Sequence, residues 1–404
     1  MKKEISLMEN LYYYLRFVII LLPFISFGQS KKQIIYYQNQ KIDSLNEALE
    51  IEKNNFIKAE KKFIKNNEQM KIINESIINW HDQYVNLFHN IDFHIIKCPN
   101  TIKKDADLLV NYFNEVATTD LEKARAIYVW MAYNIKYDDD AYNSDNLYYQ
   151  SAEDVLNAKK AVCGGYAELF TFFGQKMNLE VRTLSGFSKG YGYTQGDSFV
   201  GEGPGHAWNM VKIDGEWKIF DVTWGAGSSH TNNNGKLVST QEFDDDWFNV
   251  SPYEAIFSHY PENISDLLIE PRILLKDFEQ FPEISISAFK TSLLNAKETL
   301  SLILKDKKYV PPIFYSLNTF IKVIKAPKNG ELLLNTKYFF ELYVPRAKSI
   351  MLIDDDGNYL EFNKSVNEPL FTLNYTQSNK GIFSISIDFY NEKNPWVFLK
   401  YNVK

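Results

Sequence analysis

Two runs of alternating apolar and polar residues, joined by Asp214-Gly215, constrain the fold of this chain more than any other feature. The runs cover residues 204–213 and 216–224. Asp-Gly between alternating runs is typical of the two-residue turn of a β-hairpin. Such a turn pairs Ile213 with Glu216, and every later pair follows by counting outward from the turn. The sequence therefore predicts both a hairpin and its register.

That register predicts a histidine–aspartate pair. Trp208 faces Asp221 across the hairpin, so Asp221 is the diagonal neighbour of His206 on the same face. Diagonal neighbours lie about 7–8 Å apart at the backbone, a gap that two polar side chains can bridge. An imidazole held by a carboxylate is the usual combination of a general base and its orienting acid. We therefore expect His206 and Asp221 to act together.

A cysteine at a predicted helix start supplies the matching nucleophile. Residues 161–170, Ala-Val-Cys-Gly-Gly-Tyr-Ala-Glu-Leu-Phe, lead from a loop into a helix, which places Cys163 at or near its N-terminus. Aligned peptide dipoles there stabilise a thiolate and lower its pKa from about 8.5. Gly164 and Gly165 leave room for a substrate backbone. Taken alone, Cys163 would be a small buried cysteine beside a turn. With His206 and Asp221 it completes a nucleophile, a base and an acid.

Three segments in this order resemble the transglutaminase-like superfamily, which has a papain-like cysteine protease fold. They are Cys-Gly-Gly-Tyr-Ala, Gly-His-Ala-Trp-Asn and Phe-Asp-Val-Thr-Trp-Gly. Residues 247–261, with Trp-Phe, Ser-Pro and Ser-His-Tyr-Pro, make the kyphoscoliosis-peptidase-like subgroup the most similar. The resemblance covers about residues 120–289. It implies that Cys163 is the nucleophile, His206 the base and Asp221 the orienting residue. His259 is expected to buttress the domain, because the hairpin already provides a base with its own acid.

The resemblance leaves three functions open. The favoured one is a cysteine peptidase or amidase, which cleaves peptide or carboxamide bonds through a thioester that water resolves. The second is a protein cross-linking transglutaminase, in which a lysine amine takes the place of water. The third is a non-catalytic extracytoplasmic scaffold or binding module, against which the intact triad argues. The enzymatic functions imply a protein or peptide substrate and require no cofactor or metal ion.

Composition excludes some classes of protein and bounds the number of domains. At 404 residues, the chain is long enough for two or three domains. A net charge of −7 argues against a nucleic-acid partner. The two cysteines, Cys98 and Cys163, match no zinc or iron–sulfur spacing. Because a disulfide between them would block the nucleophile, both are predicted to be unpaired, with Cys98 packed as a structural residue.

Residues 1–29 are predicted to be a secretion signal. Lys2, Lys3 and Arg16 are basic, and the apolar run over residues 17–27 is too short to predict a membrane span. An uncleaved anchor and a buried apolar segment are the alternatives. With a cleaved signal, the mature protein is extracytoplasmic, at a periplasmic, cell-surface or secreted location, and has no stable membrane span.

Residues 30–80 are predicted to form one long amphipathic helix. Apolar residues recur at every seventh position from Ile35 to Ile77, while the companion row of the heptad is mixed. The helix is therefore suited to self-association as a coiled coil, to packing on the catalytic domain, or to acting as a solvated stalk.

The transglutaminase-like catalytic domain is predicted over residues 81–290. Helices are expected to start near Asp105, at the capping box of Thr119 and near Ser151. Several loops are expected as well: residues 138–149 either line a substrate groove or are solvated, residues 188–205 are a candidate flap, and residues 225–237 are mobile. The run Asp244-Asp245-Asp246 is expected to be a solvated acidic turn.

Residues 291–404 are predicted to form an antiparallel β-sandwich of immunoglobulin-like size. Short alternating runs are separated by turn signals, at residues 320–324, 338–344, 349–353, 371–373, 382–389 and 397–401. Its default role is packing or binding. The predicted fold class is thus α+β: a papain/transglutaminase-like core with a long N-terminal helix and a C-terminal β-sandwich.

Overall fold

The fold is known from a computed structural model. It describes residues 88–404, apart from 145–146, 195, 307–308, 316–320, 367, 377–378 and 391–392. The predicted signal over residues 1–29 and the predicted helix over residues 30–80 lie outside the described residues and stay predictions. Among the described helices, none is long and apolar enough to cross a membrane.

The part of the chain before the predicted hairpin is mostly helical. Its elements are α1 (His89–Ile96), α2 (Ala106–Asn114), α3 (Asp120–Asn134), β1 (Lys136–Tyr137), α4 (Asp139–Asn143), α5 (Ala152–Ala158), β2 (Lys160–Ala161) and α6 (Cys163–Lys176). The three helix starts predicted from sequence are confirmed. Asp105 caps α2, and Thr119 and Ser151 form capping boxes that start α3 and α5.

A four-stranded antiparallel sheet carries the predicted hairpin. The elements of this part are β3 (Val181–Ser188), β4 (His206–Ile213), β5 (Glu216–Phe220), α7 (Val222–Gly225), β6 (Gly227–Thr231), β7 (Leu237–Gln241), α8 (Pro252–Ala255) and β8 (His259–Pro261). The strand order in the sheet is β5–β4–β3–β8. Helix α6 packs on β3 and β4, which brings the helix start at Cys163 to the sheet.

The predicted hairpin register is confirmed, but its second strand ends early. Pairing runs from Ile213 with Glu216 to Asn209 with Phe220. The prediction that β5 continues through residue 224 is wrong. Asp221 instead caps α7, because its side-chain Oδ1 accepts a hydrogen bond of 3.0 Å from the Trp224 N–H.

Two of the predicted loops contain regular structure. Residues 225–237, expected to be mobile, contribute β6, which pairs with β7 in a second hairpin. Residues 138–149 contain α4. The two regions are joined by the Asn143 side chain, which donates to the Leu237 carbonyl and accepts from the Leu237 N–H, both at 2.9 Å. These reciprocal bonds order both segments, and the sequence gives no local sign of them.

The acidic run over residues 244–246 is not a solvated turn. Asp245 is ion-paired to Arg125, which is 2% exposed and also donates to Asp92 at 2.7 and 2.6 Å. Asp246 lies 3.5 Å from Lys290. A buried guanidinium needs carboxylate partners. The ion pair with Arg125 on α3 therefore holds the acidic run against the rest of the domain.

The remaining elements lie after β8. They are a 3₁₀ turn (Ile264–Asp266), α9 (Leu275–Phe278), α10 (Ile286–Lys290), α11 (Ala296–Lys305), β9 (Ile313–Phe314), β10 (Lys322–Lys325), β11 (Glu331–Leu332), β12 (Lys337–Tyr343), β13 (Ala347–Asp354), β14 (Tyr359–Glu361), β15 (Asn363–Lys364), β16 (Leu370–Thr376), β17 (Gly381–Phe389) and β18 (Trp396–Val403). The six predicted strand runs correspond to β10, β12, β13, β16, β17 and β18.

Two sheets face each other in the C-terminal region, as predicted. One has the order β10–β12–β16–β15; the other has β11–β18–β17–β13–β14, with β9 also on β18. Their pairs are antiparallel except for β11 with β18. The ring of Phe340 in the first sheet packs 6.3 Å from Phe383 and 5.8 Å from Tyr401 in the second. The predicted domain boundary at residue 291 falls between α10 and α11, inside one continuous hydrophobic core that includes Phe289 and Leu300.

Candidate active site

Cys163 is the first residue of α6, as predicted. The preceding residue, Val162, offers no side-chain cap, so the first N–H groups of the helix are not satisfied by one. The backbone N–H of Val162 itself donates a hydrogen bond to the side-chain oxygen of Gln150, at 3.0 Å. Both cysteines are free: Cys98 is buried and Cys163 is partly exposed. The helix start thus presents a reachable thiol beside unsatisfied N–H donors.

The Asn209 side chain joins the strand that carries His206 to the helix that carries Cys163 through two hydrogen bonds. Its side-chain amide donates to the Ala167 carbonyl at 3.0 Å and to the Thr171 hydroxyl at 2.9 Å. The residue is 1% exposed, so each bond is protected from water. These two bonds fix the distance between β4 and the middle of α6.

His206 lies between the thiol and a buried carboxylate. Its Nε2 is 2.6 Å from Asp221 Oδ2, and Asp221 is fully buried. Because Nε2 is hydrogen-bonded to Asp221, Nδ1 is the ring nitrogen left to interact with the Cys163 side chain, which raises the pKa of His206. The backbone of Ala207 also acts on the Cys163 sulfur and lowers the pKa of the thiol. The structure therefore brings together the three residues that the sequence singled out.

The charges of these groups support one another. Burial opposes ionisation of Cys163, but the hydrogen bond and positive charge of His206 outweigh it and lower the thiol pKa. Burial also disfavours the imidazolium, yet the Asp221 charge and hydrogen bond raise the pKa of His206 to about 10. Burial likewise opposes the carboxylate, and His206 still holds the pKa of Asp221 well below its usual range. Together, the pKa shifts of Cys163, His206 and Asp221 favour a thiolate–imidazolium pair.

Cys163, His206 and Asp221 all fall in a stretch that matches a known family. Residues 109–222, which end just after Asp221, match the family described as the transglutaminase-like superfamily. These residues therefore form a transglutaminase-like domain. The resemblance of its three motifs and the expected fold class are thereby confirmed.

The chain is similar to kyphoscoliosis peptidases in particular. It is 33% identical over 203 residues to that of Mus musculus and 34% identical over 203 residues to that of Homo sapiens. In both cases the match covers 50% of this chain and 30% of the relative, so the chain spans less than a third of their length. A crystal structure of a TGase matches at 18% identity, 38% of this chain and 41% of that chain, with a TM-score of 0.25, too low to support an argument.

A second histidine of the transglutaminase-like region lies on the same carboxylate, which the sequence did not predict. His259 Nε2 is 3.0 Å from Asp221 Oδ2, and His259 is 2% exposed. The expectation that it only buttresses the domain is thus incomplete, since it contacts the predicted triad. Its position in the Ser-His-Tyr-Pro motif was the available signal. The pairing of β8 with β3, next to β4, was not visible from sequence.

His206, Asp221 and His259 also offer ligand atoms of the types that bind metal ions. These atoms lie within 4.8 Å of one another. In a tetrahedral zinc site with bonds of about 2.0–2.1 Å, ligand atoms stand about 3.3 Å apart. The two nitrogen–oxygen distances here, 2.6 and 3.0 Å, are hydrogen-bond lengths. The spacing is therefore that of a hydrogen-bonded network of two imidazoles and a carboxylate.

Proposed function

We propose that this protein is a cysteine peptidase or amidase that cleaves a peptide or carboxamide bond through a thioester on Cys163. The observation that carries the proposal is the connected series from the Cys163 thiol, through His206, to the fully buried Asp221. A structural cysteine has no need of a charged imidazole, whereas such a partner lowers the pKa of a nucleophilic cysteine and so activates it. The similarity to proteins named peptidases supports hydrolysis over transfer to an amine.

The first half-reaction forms the thioester. The Cys163 thiolate attacks the substrate carbonyl carbon, and the carbonyl oxygen takes the negative charge. The C–N bond then breaks, while the leaving amine takes the proton from Nδ1 of His206. Asp221 holds Nε2 of His206 throughout, so the ring keeps the orientation in which Nδ1 faces the thiol.

Two donors stand beside the helix start to receive the oxyanion. The first is the backbone N–H of Cys163, at the positive end of α6. The second is the side-chain amide of Gln150, which is 6% exposed and whose oxygen is fixed by the Val162 N–H. No described residue accepts a hydrogen bond from the amide nitrogen of Gln150. That nitrogen is therefore available for a substrate oxygen.

The second half-reaction releases the acid. Nδ1 of His206, now neutral, takes a proton from a water molecule that attacks the thioester, and the Cys163 thiolate departs. The same steps with a lysine amine in place of water give the cross-linking alternative. We assign the substrate to extracytoplasmic proteins or peptides, in keeping with the signal predicted over residues 1–29.

The two cysteines provide an internal test. Burial raises the pKa of the Cys98 thiol, so dilute iodoacetamide applied between about pH 4 and pH 10 is expected to label Cys163 about 10-fold or more faster at neutral pH. Cys163→Ala abolishes that fast phase, and His206→Ala slows it. Assays with peptide substrates and with a labelled amine then distinguish hydrolysis from transfer. Labelling of Cys163 no faster than of Cys98 would favour the scaffold alternative.

A further inference from the structure

The Oδ2 atom of Asp221 accepts hydrogen bonds from the imidazole rings of two histidines that lie on different strands. His206 begins β4 and His259 begins β8, and both have Nε2 within 3.0 Å of Asp221 Oδ2. Strand β3 lies between them, with Gly186 paired to His206 on one side. A Cβ at Gly186 would meet the Tyr260 carbonyl oxygen at 2.2 Å. A glycine at this position therefore lets β8 approach closely enough for His259 to reach Asp221.

The tautomer of His259 follows from its two neighbours. Its Nδ1 is 3.0 Å from the Ser258 hydroxyl, and its Nε2 faces the Asp221 carboxylate. A carboxylate only accepts, so Nε2 must carry the proton. Nδ1 then accepts from Ser258, whose other acceptor, the Ala255 carbonyl, is farther away at 3.4 Å. Ser258 thus fixes His259 as a donor to Asp221.

The surroundings of His259 keep it neutral. Rings of Trp247, Trp224 and Trp208 lie 4.3, 4.5 and 4.9 Å from its ring centre. Burial lowers the pKa of His259 to about 4, although Asp221 acts in the opposite direction. The titratable groups that act on it are Asp221, which favours the charged ring, and His206, which opposes it. One imidazole on Asp221 therefore carries a positive charge and the other does not.

We propose that His259 is a positioning residue of the triad, which holds the Asp221 carboxylate ionised and aligned with His206. With the Trp224 N–H on Oδ1 and two imidazoles on Oδ2, the carboxylate cannot rotate without losing a donor. Donors to a carboxylate stabilise its charged form. Without the His259 donor the carboxylate is free to rotate away from His206, and it then supports the His206 imidazolium less well. This inference rests on the proposed function.

A matched pair of variants separates this role from packing. In His259→Gln, the amide nitrogen takes the place of Nε2 and still donates to Asp221. In His259→Asn, the amide reaches only the position of Nδ1 and loses that bond. Both replacements are neutral and carry the same amide group. The readouts are the pH dependence of Cys163 alkylation by iodoacetamide, followed by mass spectrometry of the labelled peptide, and the thermal unfolding temperature.

We expect His259→Gln to keep the parental profile and His259→Asn to shift thiolate formation upward by about one pH unit. That shift corresponds to about 10-fold slower alkylation on the acidic side of the profile. If His259→Asn does not fold, Ser258→Ala replaces it, with a shift in the same direction. A folded His259→Asn, or Ser258→Ala in its place, with the parental profile overturns the proposal. An ordinary thiol profile in the parent protein instead overturns the proposed function, so the two failures are distinct.

Discussion

The side-chain amide of Asn209 donates a 3.0 Å hydrogen bond to the carbonyl oxygen of Ala167. This bond, with the one to Thr171, joins the strand of the base to the helix of the nucleophile. Asn209→Asp removes both donors while keeping the side-chain shape. We expect it to lower the free energy of unfolding by about 1–3 kcal/mol, because two hydrogen bonds are lost and a carboxyl group is buried in place of the amide. Urea denaturation measures this loss.

The matched control for Asn209 is Thr171→Val, which removes only one of the two acceptors. Thr171→Val is expected to lower the free energy of unfolding less than Asn209→Asp does. It is also expected to slow the alkylation of Cys163 less. Equal stability of the parent and Asn209→Asp would show that these bonds do not hold the helix and strand together.

The ionisation of Asp221 sets the alkaline limit of the proposed activity. The thiolate–imidazolium pair forms once pH exceeds the lowered pKa of Cys163, and it is lost when His206 releases its proton near its pKa of about 10. In Asp221→Asn the charge that raises this pKa is gone. The alkaline limb of kcat/KM should therefore move to lower pH, and the rate at neutral pH should fall by about 10²–10⁴-fold.

A pH–rate profile of the parent and Asp221→Asn checks this prediction. The exposed acid Asp120, which lies 3.5 Å from Lys123 at the start of α3, provides the control. Asp120→Asn should leave both limbs in place. An alkaline limb at the same pH in Asp221→Asn and the parent would contradict the assigned role of the carboxylate.

Gln150 is expected to affect acyl transfer without affecting alkylation. Gln150→Glu keeps an oxygen acceptor for the Val162 N–H but replaces the amide donor with an acceptor. Loss of one oxyanion donor typically costs about 10²–10³-fold in kcat. Alkylation by iodoacetamide builds no oxyanion, so its rate at Cys163 should be nearly unchanged. Measuring kcat and the alkylation rate of Cys163 in parallel tests whether Gln150 stabilises the oxyanion. An equal fall in both rates would indicate that Gln150 only orders the helix start.

Much of the core and of the candidate site could be predicted from sequence, because short-range rules govern it. The Asp214-Gly215 turn fixed the register of β4 and β5. The capping box of Thr119 fixed the start of α3. Motif order indicated Cys163, and its place at the start of α6 followed from the apolar spacing of the residues after it.

Other expectations failed where a side-chain hydrogen bond or ion pair competes with the pattern of apolar or charged residues. Asp221 was expected to continue a strand, yet it caps α7 because its carboxylate accepts a hydrogen bond from the Trp224 N–H. The acidic run was expected to be solvated, yet Asp245 pairs with Arg125, 120 residues earlier in the chain. The first is a helix cap across three residues, whereas the second follows from the burial of Arg125, which requires carboxylate partners.

The sequence by itself determined the elements around the site and the three residues of the proposed triad, since these depend on neighbours along the chain. Only the tertiary structure decided which groups share the Asp221 carboxylate. His259 reaches it from 38 residues away because β8 joins the sheet beside β3. Strand order and burial are settled by how whole surfaces pack, and packing between distant segments leaves no periodic mark in the sequence.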